Sequence, residues 1–153
     1  MPARRLQLEE FLPYRLSVLS NTVSRALARS YEERFGLSIP QWRVVAVLGR
    51  ESDLSASEVV ERTVMDKVTV SRAVASLLAD GRIQRETDPE DRRRILLRLS
   101  PAGRSIYRRI VPLARTYERS LLRALAPAER AQLADLLTRL THRAHHMQEG
   151  GRS

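Results

Sequence analysis

The stretch SDLSASEVVERTVMDKVTVSRAVASLLADGRI, residues 52–83, decides how this chain folds. Ser57 is placed to cap a short helix with Val59 and Val60 turned inward. Thr63-Val64-Met65-Asp66 then breaks the pattern over the length of a tight helix-to-helix turn. Asp66 suits the cap of a second helix that runs to Asp80 and is closed by Gly81. Val70, Val74, Leu77 and Leu78 fall on one face of that helix, and Val68, Thr69, Arg72 and Ser76 on the other. Two short helices with a tight connection, the second with a small, polar and basic outer face, predict a helix-turn-helix.

After Gly81 the apolar period changes from helical to two. Ile83-Gln84-Arg85-Glu86-Thr87 alternates, and so does Ile95-Leu96-Leu97-Arg98-Leu99. The pair reads as a hairpin with TDPEDRRRIL at its tip, and a hairpin directly after a helix-turn-helix is a wing. Upstream, Leu16, Leu19, Val23, Leu27 and Tyr31 recur at helical steps, and Gly36 suits the end of that helix. Ser38 and Pro40 open another helix, whose inward side is Trp42, Val45, Ala46 and Leu48. Downstream, Ser100-Pro101 starts a helical region to about His146. Pro112 is expected to bend it and Ala126-Pro127 to break it. Leu133, Leu136, Leu137 and Leu140 form a stripe on the last helix. Residues 1–11 read as half-ordered and residues 147–153 as a frayed tail.

The fold class expected is therefore mainly α: a winged helix-turn-helix with a two-stranded wing, flanked by N- and C-terminal dimerisation helices. Residues 1–36 are assigned to the first dimerisation helix, 37–100 to the DNA-binding lobe, and 101–153 to the last helices and tail. The long leucine-rich ends exceed what a winged module needs around its core, and a homodimer is their simplest use.

Composition points the same way. Lys and Arg total 27 against 18 Asp and Glu, a net charge of +9, which favours a polyanionic partner. Lys67 is the only lysine, and codon bias accounts for that ratio without accounting for the excess over acids. There is no cysteine, which removes disulfides, thiolate metal sites and thiol redox sensing. No run of about 18 apolar residues is present, so no membrane partner is expected, and the N-terminus lacks a signal peptide's apolar stretch. A cytoplasmic protein is the expectation. Glycine-rich phosphate loops, His-Glu-x-x-His and Gly-x-Ser-x-Gly are all absent, so neither an enzyme nor a cofactor is expected. His142 and His146 lie one helical turn apart, with His145 beside them, but no carboxylate or cysteine cluster joins them and no metal site is assigned.

The order of elements, with MDKVTVSRAVASLLADGRI (65–83) and DPEDRRRILLRLSPAG (88–103), resembles the MarR family of bacterial winged-helix regulators. The resemblance spans roughly Leu12 to His146. It implies a homodimeric transcription factor that binds double-stranded DNA through a pseudo-palindromic operator. Members often release DNA when a small molecule binds between the dimer helices and the DNA-binding lobe. The wing of many members reads Asp-x-Arg-Asp-x-Arg. Here Glu90 stands at the first arginine position, while Asp91 and Arg93 keep the second pair.

On the recognition helix, Thr69 and Arg72 are expected to face base edges, Arg72 as a bidentate partner of guanine. Val68 suits a thymine methyl, and Lys67 and Ser71 suit phosphates, with Ser76 further along the same surface. If strand geometry persists into the loop, Arg92 and Arg94 point to one side and Arg93 to the other. Arg93, by its match to the family position, is the first choice for insertion into a minor groove, and Arg92 the second. Arg94 is assigned to a phosphate, and Asp91 to bracing the inserted arginine. The plainer readings are a solvated helix face and a hairpin tip with exposed ion pairs. For an effector, Tyr14, Arg15 and Trp42 suit an aromatic or phenolic acid, the guanidinium for the acid and the rings for the apolar body. The alternative is a core Trp42 and an Arg15 held in a structural salt bridge. The alternative function is a non-specific architectural nucleic-acid-binding protein, which the 5% aromatic content disfavours.

Overall fold

The computed structural model describes residues 5–151. After a single 3-10 turn at Leu8–Glu10, the order is α1 (Leu12–Phe35), α2 (Ile39–Arg50), α3 (Ala56–Thr63), α4 (Lys67–Ala79), β1 (Ile83–Thr87), β2 (Ile95–Leu99), α5 (Pro101–Leu122) and α6 (Pro127–Gly150). The chain divides into two compact units, the first ending at Val111 and the second beginning at Pro112.

Capping residues set most boundaries in the first unit. Gly36 takes the left-handed conformation (φ 62°) and its N–H donates to Glu32 O, ending α1. Ser38 and Gln41 form a reciprocal capping box at the start of α2, where Pro40 costs nothing because its missing N–H lies in the first turn. The cap of α3 is Ser55, not Ser57. Glu58, three residues after Ser55, returns the hydrogen bond to the Ser55 N–H, whereas Ser57 is followed at that spacing by Val60, which cannot. Asp66 caps α4 as its position suggests.

The core of this unit is apolar and continuous. Val44, Val45 and Leu48 of α2 meet Val59 of α3, Val70, Ala73 and Leu77 of α4, and Ile83, Leu97 and Leu99 of the hairpin; all are buried. Trp42 is only half-buried, with Val44 in the fully inward place. The strands pair antiparallel from Ile83↔Leu99 to Thr87↔Ile95. Leu54 adds a bridge on the free edge of β2, exchanging hydrogen bonds with Leu97 at 3.2 and 2.7 Å. The sheet is thus widened by one residue that sequence periodicity does not reveal.

The base of the hairpin is fastened by polar groups. Ser100 is buried, and its hydroxyl donates to Gly81 O (2.6 Å) and accepts from Gly103 N–H (3.0 Å). A Cβ on Gly103 would lie 1.9 Å from Arg82 O, so this approach requires glycine. The Arg82 guanidinium reaches back to Phe35 O (2.7 Å) and Gly36 O (3.4 Å), satisfying carbonyls at the end of α1.

In the second unit, Glu129 accepts from the Ala126 N–H and starts α6, and Arg130 donates to Leu122 O and Leu125 O across the preceding turn. Helix α5 continues through Pro112. Helix α6 extends through Met147 to Gly150, so the expected frayed tail is helical that far; Arg152 and Ser153 lie outside the described residues, as do residues 1–4. The leucine stripe of α6 is exposed, Leu136 at 49%, and so is the N-terminal half of the α1 stripe, Leu19 at 56%. The same stripe is buried by Tyr31.

Candidate nucleic-acid interface

Helix α4 presents its outer face because Val70, Ala73 and Leu77 hold the other face in the core. Lys67, Val68, Ser71 and Arg72 are exposed, Val68 at 59%. No carboxylate pairs with Lys67 or Arg72 among the described residues. Arg72 and Thr69 border a depression of about 300 Å³ beside the first turn of α2, with Ser38 on its far wall. Thr69 is half-buried, and its hydroxyl donates to Asp66 Oδ2 at 2.6 Å while its N–H donates to Oδ1 at 2.8 Å. These two bonds, the hydroxyl's first, hold the Asp66 carboxyl below its usual pKa. Thr69 is left with its methyl and oxygen lone pairs to offer outward.

Ser76 departs from expectation. It is half-buried, and its hydroxyl accepts from Gln41 Nε2 at 2.7 Å. That bond fixes α4 against α2, so Ser76 packs inward where an outward polar residue was expected.

The turn before α4 contains a strained residue. Val64 sits at φ 55° and is 78% exposed. A β-branched side chain is unfavourable in the left-handed region. The conformation lets the chain leave α3 and enter α4 within three residues.

At the wing tip, strand alternation does not persist. Arg94 N–H donates to Asp91 O (2.9 Å), closing a tight turn with Arg92 and Arg93 at its two corners. Both side chains are exposed, and no carboxylate pairs with either among the described residues. Asp91 contacts the backbone of Arg93 and not its guanidinium: its Oδ1 accepts from the Arg93 N–H at 3.0 Å. Asp88 repeats the device, its Oδ1 accepting from the Glu90 N–H at 2.9 Å. Each aspartate therefore needs only a backbone N–H two residues on. That accounts for Glu90: the turn makes no demand on its side chain.

Arg94 is also placed differently from expectation. Its guanidinium pairs with Glu58 of α3 and is half-buried, so it faces the protein where a phosphate contact was expected. On β2, Arg98 pairs with Asp53 (2.8 Å) and Glu86 (2.7 Å), a second polar tie between the hairpin and the segment before α3.

An aromatic cluster lies elsewhere in the first unit. Trp42 packs against Tyr31 (ring centroids 5.5 Å apart) and stacks on Tyr107 (6.2 Å). A Cβ on Gly49 would meet the Tyr107 ring at 2.5 Å, so glycine there makes room for that ring. The Tyr31 hydroxyl is buried without a hydrogen-bond partner, and burial raises its pKa. Tyr14 and Arg15 are exposed near the start of α1, and Arg15 has no salt bridge among the described residues. Tyr31 lies on the same helix as Arg15 and sixteen residues on, about 24 Å along its axis. One chain therefore does not bring Arg15 beside Trp42. Tyr31 and Tyr107 are what neighbour it, and only the helical phase of Tyr31 hinted at this from sequence.

A helix-turn-helix with a free basic outer face, followed by a wing with two arginines at its tip, defines a winged-helix transcriptional regulator. The family model of the MarR family matches residues 35–94, from the end of α1 to the wing tip. A putative transcriptional regulatory protein for the hcr operon of Thauera aromatica is 29% identical over 116 residues, 76% of this chain and 70% of that protein. A MarR/EmrR family regulator from Acinetobacter sp. ADP1 superposes with a TM-score of 0.86 at 26% identity, covering 92% of this chain and 99% of the other. BpsR of Bordetella bronchiseptica, whose DNA binding is regulated by 6-hydroxynicotinic acid, superposes with a TM-score of 0.82 at 26% identity, covering 90% and 98%. The chain thus matches the MarR family over residues 35–94 and is similar over most of its length to transcriptional regulators of that family.

Proposed function

We propose that this regulator binds a specific pseudo-palindromic DNA duplex as a homodimer and acts as a repressor. The observation that carries this is the pairing of two exposed basic surfaces on one lobe: Lys67 and Arg72 on α4, and Arg92 and Arg93 at the wing tip. Arg72 reads guanine in the major groove, assisted by Thr69 and by Val68 against a thymine methyl. Lys67 and Ser71 hold phosphates. Arg93, with Arg92 beside it, enters a narrow minor groove, where negative potential is concentrated.

The dimer follows from leucine stripes that the chain leaves exposed on the first half of α1 and on α6. Residues 1–36 and 101–153 supply it, and residues 37–100 supply the DNA contact. A small aromatic or phenolic acid is the effector, in keeping with the 6-hydroxynicotinic acid response of BpsR. Tyr14 and Arg15 of one chain are distant from Trp42 of the same chain, so they reach an effector beside Trp42 only from a second copy.

The test is a titration against the duplex upstream of the protein's own gene and against a scrambled duplex, at one stated salt concentration. A preference of about a thousandfold is expected for a specific regulator. Equal affinities would overturn it in favour of a non-specific architectural protein.

A further inference from the structure

The wing loop is closed on itself. Asp88 N–H donates to Arg94 O, Arg94 N–H donates to Asp91 O, and Asp88 and Asp91 each accept a backbone N–H inside the loop. These bonds make residues 88–94 a small rigid body, with the backbone of Arg94 at its point of closure. The side chain of the same residue leaves the loop and pairs with Glu58. Glu58 is itself fixed: its Oε2 accepts from the Ser55 N–H at the start of α3, while Oε1 takes the Arg94 guanidinium.

One carboxylate thus joins the first turn of the helix-turn-helix to the wing. The pair is sheltered, its side chains 40% and 29% exposed, and a charged hydrogen bond there is less screened than on open surface. At the other end of the hairpin the Leu54–Leu97 bridge and the Arg98–Asp53 pair hold the base. A hairpin held at its base alone swings at its tip. Held at Arg94 as well, its tip keeps a fixed offset from α3, and α3, whose Val59 is buried, is packed on α4.

We propose that Glu58 is a positioning residue for the wing. Through Arg94 it sets where Arg92 and Arg93 stand relative to the recognition helix, and so the spacing between the major-groove and minor-groove contacts of one lobe. It touches no DNA itself. The inference rests on the wing entering DNA, but its structural half is read without DNA.

The chain has no cysteine, so Glu90→Cys provides a single thiol for a nitroxide at the tip. Glu90 uses only its backbone N–H, so the label disturbs no side-chain bond. In the free labelled protein, Glu58→Gln and Arg94→Gln are each expected to raise nitroxide mobility, while Arg94→Lys stays near the parent. Glutamine at 58 retains an oxygen for the Ser55 cap, so α3 should stay folded, which a thermal melt checks. The same two glutamine variants are expected to weaken binding to the upstream duplex about tenfold, as loss of one charged hydrogen bond allows. The double variant should bind no worse than either single one. Unchanged mobility in both glutamine variants overturns the proposal, and so does a mobile tip with undiminished affinity. If the parent protein itself fails to prefer its duplex, the proposed function fails, while the mobility result still tells whether Glu58 holds the wing.

Discussion

Helix α4 and the wing loop both aim arginines outward, but different forces hold them. The aim of Arg72 comes from burial: Val70, Ala73 and Leu77 occupy the core, and the helix period sends Arg72 the other way. The aim of Arg92 and Arg93 comes from hydrogen bonds in an exposed loop, with one charged tie to α3. Burial is non-directional and large; each loop bond is directional and contributes about 1 kcal/mol. The helix should therefore fail only with the whole lobe, whereas the wing can loosen while the lobe stays folded.

Leu77→Ala tests the first half with the largest expected effect. Leu77 is fully buried, and its truncation should destabilise the lobe by about 2–5 kcal/mol in denaturant unfolding. A loss below that range would mean that α4 is held by something other than its core face. Next come Arg72→Ala and Arg93→Ala. Both are exposed and have no ion-pair partner among the described residues, so melting temperatures should barely move, while operator binding weakens by about 1–3 kcal/mol for Arg72. Arg72→Ala should also relax base preference at one position, and Arg93→Ala should not. If both variants change base preference alike, the division between groove reading by helix and by wing is wrong.

A smaller gain is expected from Val64→Gly. Leaving the left-handed strain recovers about 1–2 kcal/mol, of which glycine's extra chain entropy removes about half. Stabilisation should appear as a higher denaturant midpoint. A lower midpoint would show that the exposed valine makes a favourable contact. The smallest effect concerns acid. The Asp66 pKa is lowered in the folded state, so its contribution is complete above the unfolded value near 4 and is lost as pH falls through the lowered value. Asp66→Asn keeps a good cap and should flatten that part of the acid limb of stability. An unchanged limb would place the acid sensitivity elsewhere.

The sequence made the two regions unequally legible, for the same physical reason. Periodicity reports burial, so β2, with Leu97 and Leu99 buried in alternation, could be read directly, whereas in β1 only Ile83 is buried; the start of α4 was legible from the capping chemistry of Asp66. Periodicity says nothing about bonds between polar groups distant in sequence. Glu58 and Arg94 are 36 residues apart, and Gln41 and Ser76 are 35 apart, so neither partner could be found from spacing. Ser55 and Ser57 are equally suited to cap α3 by residue type, and only the reciprocal bond between Ser55 and Glu58 separates them. The leucines of α1 and α6 were legible as stripes, but what covers them is not encoded in one chain's periodicity.

Arg82 has a kinetic consequence. Its guanidinium spans 46 residues to Gly36 O, and its carbonyl oxygen lies against Gly103 and accepts from the Ser100 N–H. The helix-turn-helix and the hairpin are local in sequence and can form early, whereas contacts that close long loops form late. Stabilisation added after the rate-limiting step appears in the unfolding rate. Replacing Arg82 should therefore leave refolding nearly as fast and shorten the lifetime of the folded lobe.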